Sequence, residues 1–224
     1  MCVLLMISCA FAGFAANAKG MDLATEDANN WRVKDVFILP SGIQGWHFWK
    51  PTVTAVGLET PFNPVSTGEY TAYIHNTWAG DLTGMRIEAE FMIGSDAAPV
   101  FEARLPDTSV QVRLHFQTTA GNWEPTDLWW SVACVILTSY NLDDTTTTCG
   151  LNTMLSLKVS LDPSLWSNHD GILGSNDLSA FKEAIADVQE IGFSFGRSES
   201  YASGVALSSG DATFILTSYE ILEA

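Results

Sequence analysis

Positive charge is scarce in this chain of 224 residues: 10 Lys and Arg stand against 26 Asp and Glu, a formal net charge of −16. Such a surface repels phosphate backbones and anionic headgroups, which excludes a nucleic-acid partner held by a basic patch. Neutral sugars and divalent cations stay open as ligands. Charge of either sign is thin, at 16% of residues, and this suits a chain of many strands and turns. Cysteine is rare too, with four in all, and no nearby His pair completes a tetrahedral zinc set. H-E-x-x-H, P-loop and dinucleotide glycine fingerprints do not occur, nor does any N-x-S/T sequon.

What is present argues for a folded protein. Apolar residues make up 47% of the chain and aromatic residues 11%, enough for one domain with a sizeable core and too much for disorder.

The opening run MCVLLMISCAFAGFAANA, residues 1–18, is uncharged and apolar, and Ala16 and Ala18 form an A-x-A cleavage site before Lys19. It reads as a secretory signal peptide too short for a membrane span. A weaker alternative is a lipoprotein box from Met6 to Cys9, disfavoured because the apolar stretch continues past Cys9. The expected organisation is therefore signal 1–18, polar leader 19–30 and one sandwich domain 31–224, in a secreted protein of the extracellular, periplasmic or cell-surface space. After signal removal no membrane span is expected. Cys134 and Cys149 then remain and suit one disulfide, worth about 3 kcal/mol in the chain-entropy model for so short a loop.

Short alternating runs separated by Gly, Pro, Asn and Asp recur along the chain, the pattern of an all-β antiparallel sandwich. In VQVRLHFQ, Val110, Val112, Leu114 and Phe116 point one way and Gln111, Arg113, His115 and Gln117 the other. One face is expected in the core and the other in water. RIEAEFMI sets Ile87, Ala89, Phe91 and Ile93 against Arg86, Glu88 and Glu90, and MLSLKVSLD repeats the arrangement. ATFILTSYEIL is apolar on both faces around Phe214, Ile215 and Leu216 and is expected as a central strand, which suits a jelly roll. One segment changes period: DLSAFKEAIADVQE spaces Leu178, Phe181, Ile185 and Val188 by three and four, an amphipathic helix with Asp177 as its N-cap.

The succession SLKVSLDPSLWSNHDG, FKEAIADVQEIGFSFG and SGVALSSGDATFILTSYEI, together with VRLHFQTTAGNWEPTDLWWS, resembles secreted bacterial galactose-binding-like or laminin-B-like jelly-roll domains. Such domains occur in PEP-CTERM-associated proteins, whose Pro-Glu-Pro motif, apolar span and basic end are not found in this sequence. The resemblance implies an extracellular β-sandwich with a binding or matrix role.

Candidate site residues follow from the aromatics. In GNWEPTDLWWS, adjacent Trp129 and Trp130 must face opposite sides of an extended strand, so both cannot enter one core. The outward indole, with Trp123 beside it, can stack on a sugar ring, and Arg113, His115 and Gln117 can supply its polar rim. A covering loop or helix burying that ring is the competing structural reading. GWHFWK offers a second platform in Trp46, His47 and Trp49. Glu88 and Glu90 share a strand face as a glycosidase pair could, although Arg86 beside them suggests plain charge pairing. SNHDGILGSND gathers Asp170, Asn176 and Asp177, with Asn168, as oxygen ligands for a structural calcium; otherwise Asp177 is only a helix cap.

The sequence thus predicts a non-catalytic domain binding a glycan or other extracellular polymer, with no cofactor beyond a structural calcium. A structural or adhesive surface protein is the first alternative, and a glycoside hydrolase or lyase the second.

Overall fold

The computed structural model describes residues 21–95, 98–105, 110–118, 127–137, 152–197 and 202–224. The expected signal peptide, Trp123 and Cys149 lie outside these residues, as does the side chain of Cys134, so the export signal and the Cys134–Cys149 pair fall outside the description.

In chain order the strands are β1 (Met21–Asp22), β2 (Trp31–Ile38), β3 (Gln44–Trp49), β4 (Thr52–Val53), β5 (Leu58–Pro61), β6 (Glu69–Asn76), β7 (Met85–Gly94) and β8 (Val100–Ala103). They continue with β9 (Val110–Gln117), β10 (Leu128–Leu137), β11 (Leu155–Ser160), β12 (Trp166–Asn168), β13 (Glu190–Arg197), β14 (Val205–Ser209) and β15 (Thr213–Glu223). Among the described residues they form two sheets packed as a sandwich. Sheet A runs β11-β7-β15-β5-β4, with β1 added on β15; sheet B runs β12-β10-β9-β13-β6 and continues from β6 both to β14-β8 and to β2-β3. The ladders are antiparallel. From β5 onward the chain passes repeatedly from one sheet to the other, as the connections of a jelly roll do.

The alternating sequences explain the core. Ile87, Ala89, Phe91 and Ile93 of β7 and Leu155, Leu157 and Val159 of β11 are buried between the sheets, while Glu90, Ser156 and Lys158 are exposed. β15 lies between β7 and β5, as its two apolar faces predict. Aromatic rings then lock the sheets together: Phe193 of β13 meets Phe214 of β15 at 5.0 Å and Phe91 of β7 at 5.4 Å, and Trp31 of β2 meets Tyr219 of β15 at 5.3 Å. Such edge-on pairs add about 0.5–1.5 kcal/mol each beyond their buried area.

Two expectations are corrected. Residues from Met21 onward are part of the sandwich and not a polar leader: Met21 pairs with Ile221, and Asp22 caps helix α1 (Leu23–Glu26) by accepting from Ala24 N at 3.0 Å. Leu23 is fully buried, and its carbonyl accepts from Trp31 Nε1 at 2.9 Å. The amphipathic helix α2 (Leu178–Ala186) starts on its Asp177 cap but stops before Val188, which bridges to Gly80. Leu178 is exposed, leaving Phe181, Ala184 and Ile185 as the buried stripe. Among the described residues no helix is long and apolar enough to cross a membrane.

One glycine is indispensable to sheet B. Gly192 has a φ of +154°, and a Cβ there would lie 2.3 Å from the Ile74 carbonyl oxygen and 2.7 Å from His75 Cα. Both neighbours are backbone and cannot swing aside. Gly192→Ala is expected to lower stability by about 2 kcal/mol or more, read as a fall in the urea midpoint; a midpoint equal to the native chain's would contradict this packing.

Candidate functional site

The outer face of sheet B carries two rows of chemistry-bearing side chains. In the first, the register pairs Trp130 with His115, His115 with Gly192, Gly192 with His75, and His75 with Arg32. In the second it pairs Arg113 with Ser194, Ser194 with Tyr73, Tyr73 with Lys34, and Lys34 with Phe48. Directly paired residues share a face, so β13 contributes only Gly192 and Ser194 between the larger groups of β9 and β6. These two small residues separate His115 on one side from Tyr73 and His75 on the other, and all of these groups are buried.

His75 Nδ1 lies 2.8 Å from Glu190 Oε2. Burial pushes the Glu190 carboxyl up, but the hydrogen bond and charge of His75, with the charge of Lys34, outweigh it and hold the group below its usual value. An ionised carboxylate only accepts, so Nδ1 is the donor. That orientation turns His75 Nε2 away, and it is buried without a hydrogen-bond partner among the described residues. His115 Nδ1 and Ser194 Oγ are likewise buried and unpartnered. The rings of His75 and His115 are 6.4 Å apart, and Tyr73 sits edge-on to His115 at 4.8 Å. Burial holds the His115 pKa well below the usual histidine value, with the nearby charges of His75 and Lys34 acting in the same direction. Burial also raises the Tyr73 phenol, which therefore stays protonated.

At the sheet edge the face becomes aromatic. The Lys34 ammonium lies 4.7 Å from the Trp46 ring, 5.3 Å from Tyr73 and 5.5 Å from Phe48, within cation–π range. Phe48 is 56% exposed and Trp46 is half-buried. Of the expected second platform, Trp46 stands here with Phe48, whereas His47 and Trp49 alternate onto the opposite face of β3.

The first expected platform is rearranged. Trp129 belongs to the core, stacked on Phe116 and edge-on to Phe181 at 5.0 Å, so it is no ligand platform. Trp130 does point outward, but it is only 2% exposed, with His169 5.9 Å away. Arg113, His115 and Gln117 are all buried, not a solvated strand face. The register of β10 shifts between Trp130 and Cys134, bringing backbone carbonyls over the row. Arg113 donates to the carbonyls of Ser131 at 2.8 Å and Val132 at 2.7 Å and to Gln111 Oε1 at 2.6 Å, an anchoring role.

The remaining candidates are structural in their contacts. Asp177 accepts from Ala180 N at 3.3 Å as the helix cap, and Asn168 Oδ1 accepts from the amides of Asp170 and Ile172 as a turn; Asp170 and Asn176 are exposed. Glu88 accepts from Lys158 and from Arg86, each at 2.8 Å, and these bonds hold its carboxyl below the usual range. A carboxylate kept ionised in this way is unsuited to be a glycosidase's general acid.

Sequence reasoning passes over His75, Glu190, Tyr73 and Lys34. One local signal was available: Gly192-Phe193-Ser194-Phe195-Gly196 spells G-x-S-x-G. The nucleophile motif of that spelling needs a sharp strand-to-helix turn, whereas here the five residues run straight within β13. Ser194 Oγ and His75 Nε2 are not hydrogen-bonded to each other, so no charge-relay triad is assembled. No family model, curated protein or solved structure matches the chain.

The buried neutral His115 makes stability depend on pH. Below the ordinary value of 6.5 the unfolded chain binds a proton there that the folded chain refuses. The contribution is therefore complete above that pH and is lost as pH falls from it toward the lower folded value. His115→Phe is expected to flatten the decline in urea midpoint between about pH 7.5 and about pH 5; an unchanged slope would assign it elsewhere.

Proposed function

We propose that the chain is a carbohydrate- or extracellular-polymer-binding β-sandwich that takes its ligand on the outer face of sheet B, entered from the edge where Trp46 and Phe48 stand. The observation that carries this reading is the set of bare polar atoms, His75 Nε2, His115 Nδ1 and Ser194 Oγ, gathered over the side-chain-free position of Gly192. A buried polar group without a partner costs about 1–3 kcal/mol, and a hydroxyl group, being both donor and acceptor, can pair with each of the three in whichever role that atom leaves open. Phe48 and Trp46 add the flat apolar surface that pyranose C–H faces need. The acidic composition favours a neutral ligand, and the resemblance to galactose-binding-like jelly rolls agrees.

A catalytic reading has one specific support: His75 oriented by Glu190 has the arrangement of a general base with its orienting carboxylate. An assembly reading has another, because Ile38, Leu39, Ile43 and Phe48 are all exposed on the β2-β3 hairpin.

Tryptophan fluorescence titration with soluble glycans, alongside pull-down on insoluble polysaccharides, separates the three. Binding predicts a saturable change that Phe48→Ala weakens about tenfold, the loss of roughly 1.5 kcal/mol of ring burial, and that His115→Phe also weakens while the fold persists. Affinity indifferent to both variants would remove this face from recognition. Release of reducing or unsaturated ends, abolished by His75→Gln, would establish catalysis instead. Oligomers that form without glycan and dissolve in Ile43→Ser would establish assembly.

A further inference from the structure

On the other face of the same edge, three ligating side chains from three strands converge. Asp35 of β2 is paired with His47 of β3, and Phe37, two residues on, is paired with Glu69 of β6. The β2-β6 register skips Ala72, pairing Lys34 with Tyr73 but Asp35 with Thr71. Lys34 and Asp35, as neighbours, face opposite sides of β2, and the skip in β6 puts Thr71 and Glu69 on the face of Asp35. One ligand atom from each of Asp35, His47 and Glu69 lies within 4.8 Å of the other two.

The environment of Asp35 is incomplete. Its side chain is nearly fully buried, at 1% exposure. Oδ2 accepts from Trp49 Nε1 at 2.7 Å and from Asn63 Nδ2 at 2.9 Å, both neutral donors. Oδ1 is buried with no partner, and among the described residues no Lys or Arg forms an ion pair with this carboxylate. Buried charges are ordinarily paired or bound to a metal. A cation beside Oδ1 would complete this environment.

We infer that Asp35, His47 and Glu69 form a binding site for a first-row divalent cation of the zinc class. Two carboxylates and a neutral imidazole balance a 2+ ion, and an imidazole ligand suits zinc better than calcium, which takes oxygen ligands. Bonds of about 2.0–2.2 Å need the three atoms closer than they stand. The half-exposed His47 side chain, whose Nδ1 is already 3.5 Å from Glu69 Oε1, is free to close that gap. The exposure of His47 and Glu69 leaves water to complete the coordination. Bound there, the ion clamps β3 to β2 and β6 and so holds the strand that carries Trp46 and Phe48.

The test is isothermal titration of the chelator-treated full chain with zinc chloride, then with calcium chloride, alongside tryptophan fluorescence, to which Trp49 contributes through its indole N–H on Asp35. Expected are one zinc per chain, a fluorescence change, a raised melting temperature and weaker calcium binding. Asp35→Asn and His47→Ala should each weaken zinc at least tenfold, while Glu183→Gln, an exposed carboxylate on α2, leaves it unchanged. If Asp35→Asn does not fold, the surface variant His47→Ala decides alone. Absence of stoichiometric zinc binding, retention of full affinity in His47→Ala, or preference for calcium would each overturn the assignment. Glycan affinity is not the readout, so failure here is distinguishable from failure of the ligand-binding face.

Discussion

The aromatic contacts between the two sheets set the orientation of everything on sheet B. Phe193 and Phe195 of β13 both reach across to Phe214 of β15, at 5.0 and 5.4 Å. A strand that sends these rings inward must present Gly192, Ser194 and Gly196 outward, because successive side chains alternate. The small groups of β13 between His115 and His75 are therefore a consequence of the core. Packing on one side of β13 leaves only glycine and serine at these positions on its other side, and Gly192, which leaves no room for a Cβ, holds β13 close against β6.

The same constraint explains why the polar row of β9 is not wet. β9 lies inside sheet B, between β10 and β13, and the register shift in β10 brings the carbonyls of Ser131 and Val132 onto Arg113. Burial then acts on the chemistry. It keeps His115 neutral and Tyr73 protonated, while the hydrogen bond from His75 and the charge of Lys34 keep Glu190 ionised. Groups that would be ordinary on a solvated strand become a set of fixed donors and acceptors in a low-dielectric surround, where each hydrogen bond counts for more.

Most of the sandwich was legible from the sequence because its strands bury one face and wet the other. β7 and β11 follow their alternation residue by residue, β15 is central as its doubly apolar run requires, and Asp177 begins α2 where the period changes. The candidate site was legible only in fragments. The tryptophans of GWHFWK were visible as a platform, but alternation along β3 separates Trp46 from His47 and Trp49. His75 and Glu190 are 115 residues apart, and no local pattern announces that they touch. Asp35, His47 and Glu69 were hidden for the same reason, their meeting depending on a skipped residue in β6.

Composition and period two, by themselves, determined that this chain forms stacked antiparallel layers, carries a strongly acidic surface and caps one short helix at Asp177, since each of these depends on residues close in sequence. Which indole became core and which lay outward, which polar groups lost water, and which carboxylates met a histidine were decided by register and by inter-sheet packing. Those are relations between distant segments. A strand's own sequence specifies that it has two faces, and only its neighbours specify what each face meets.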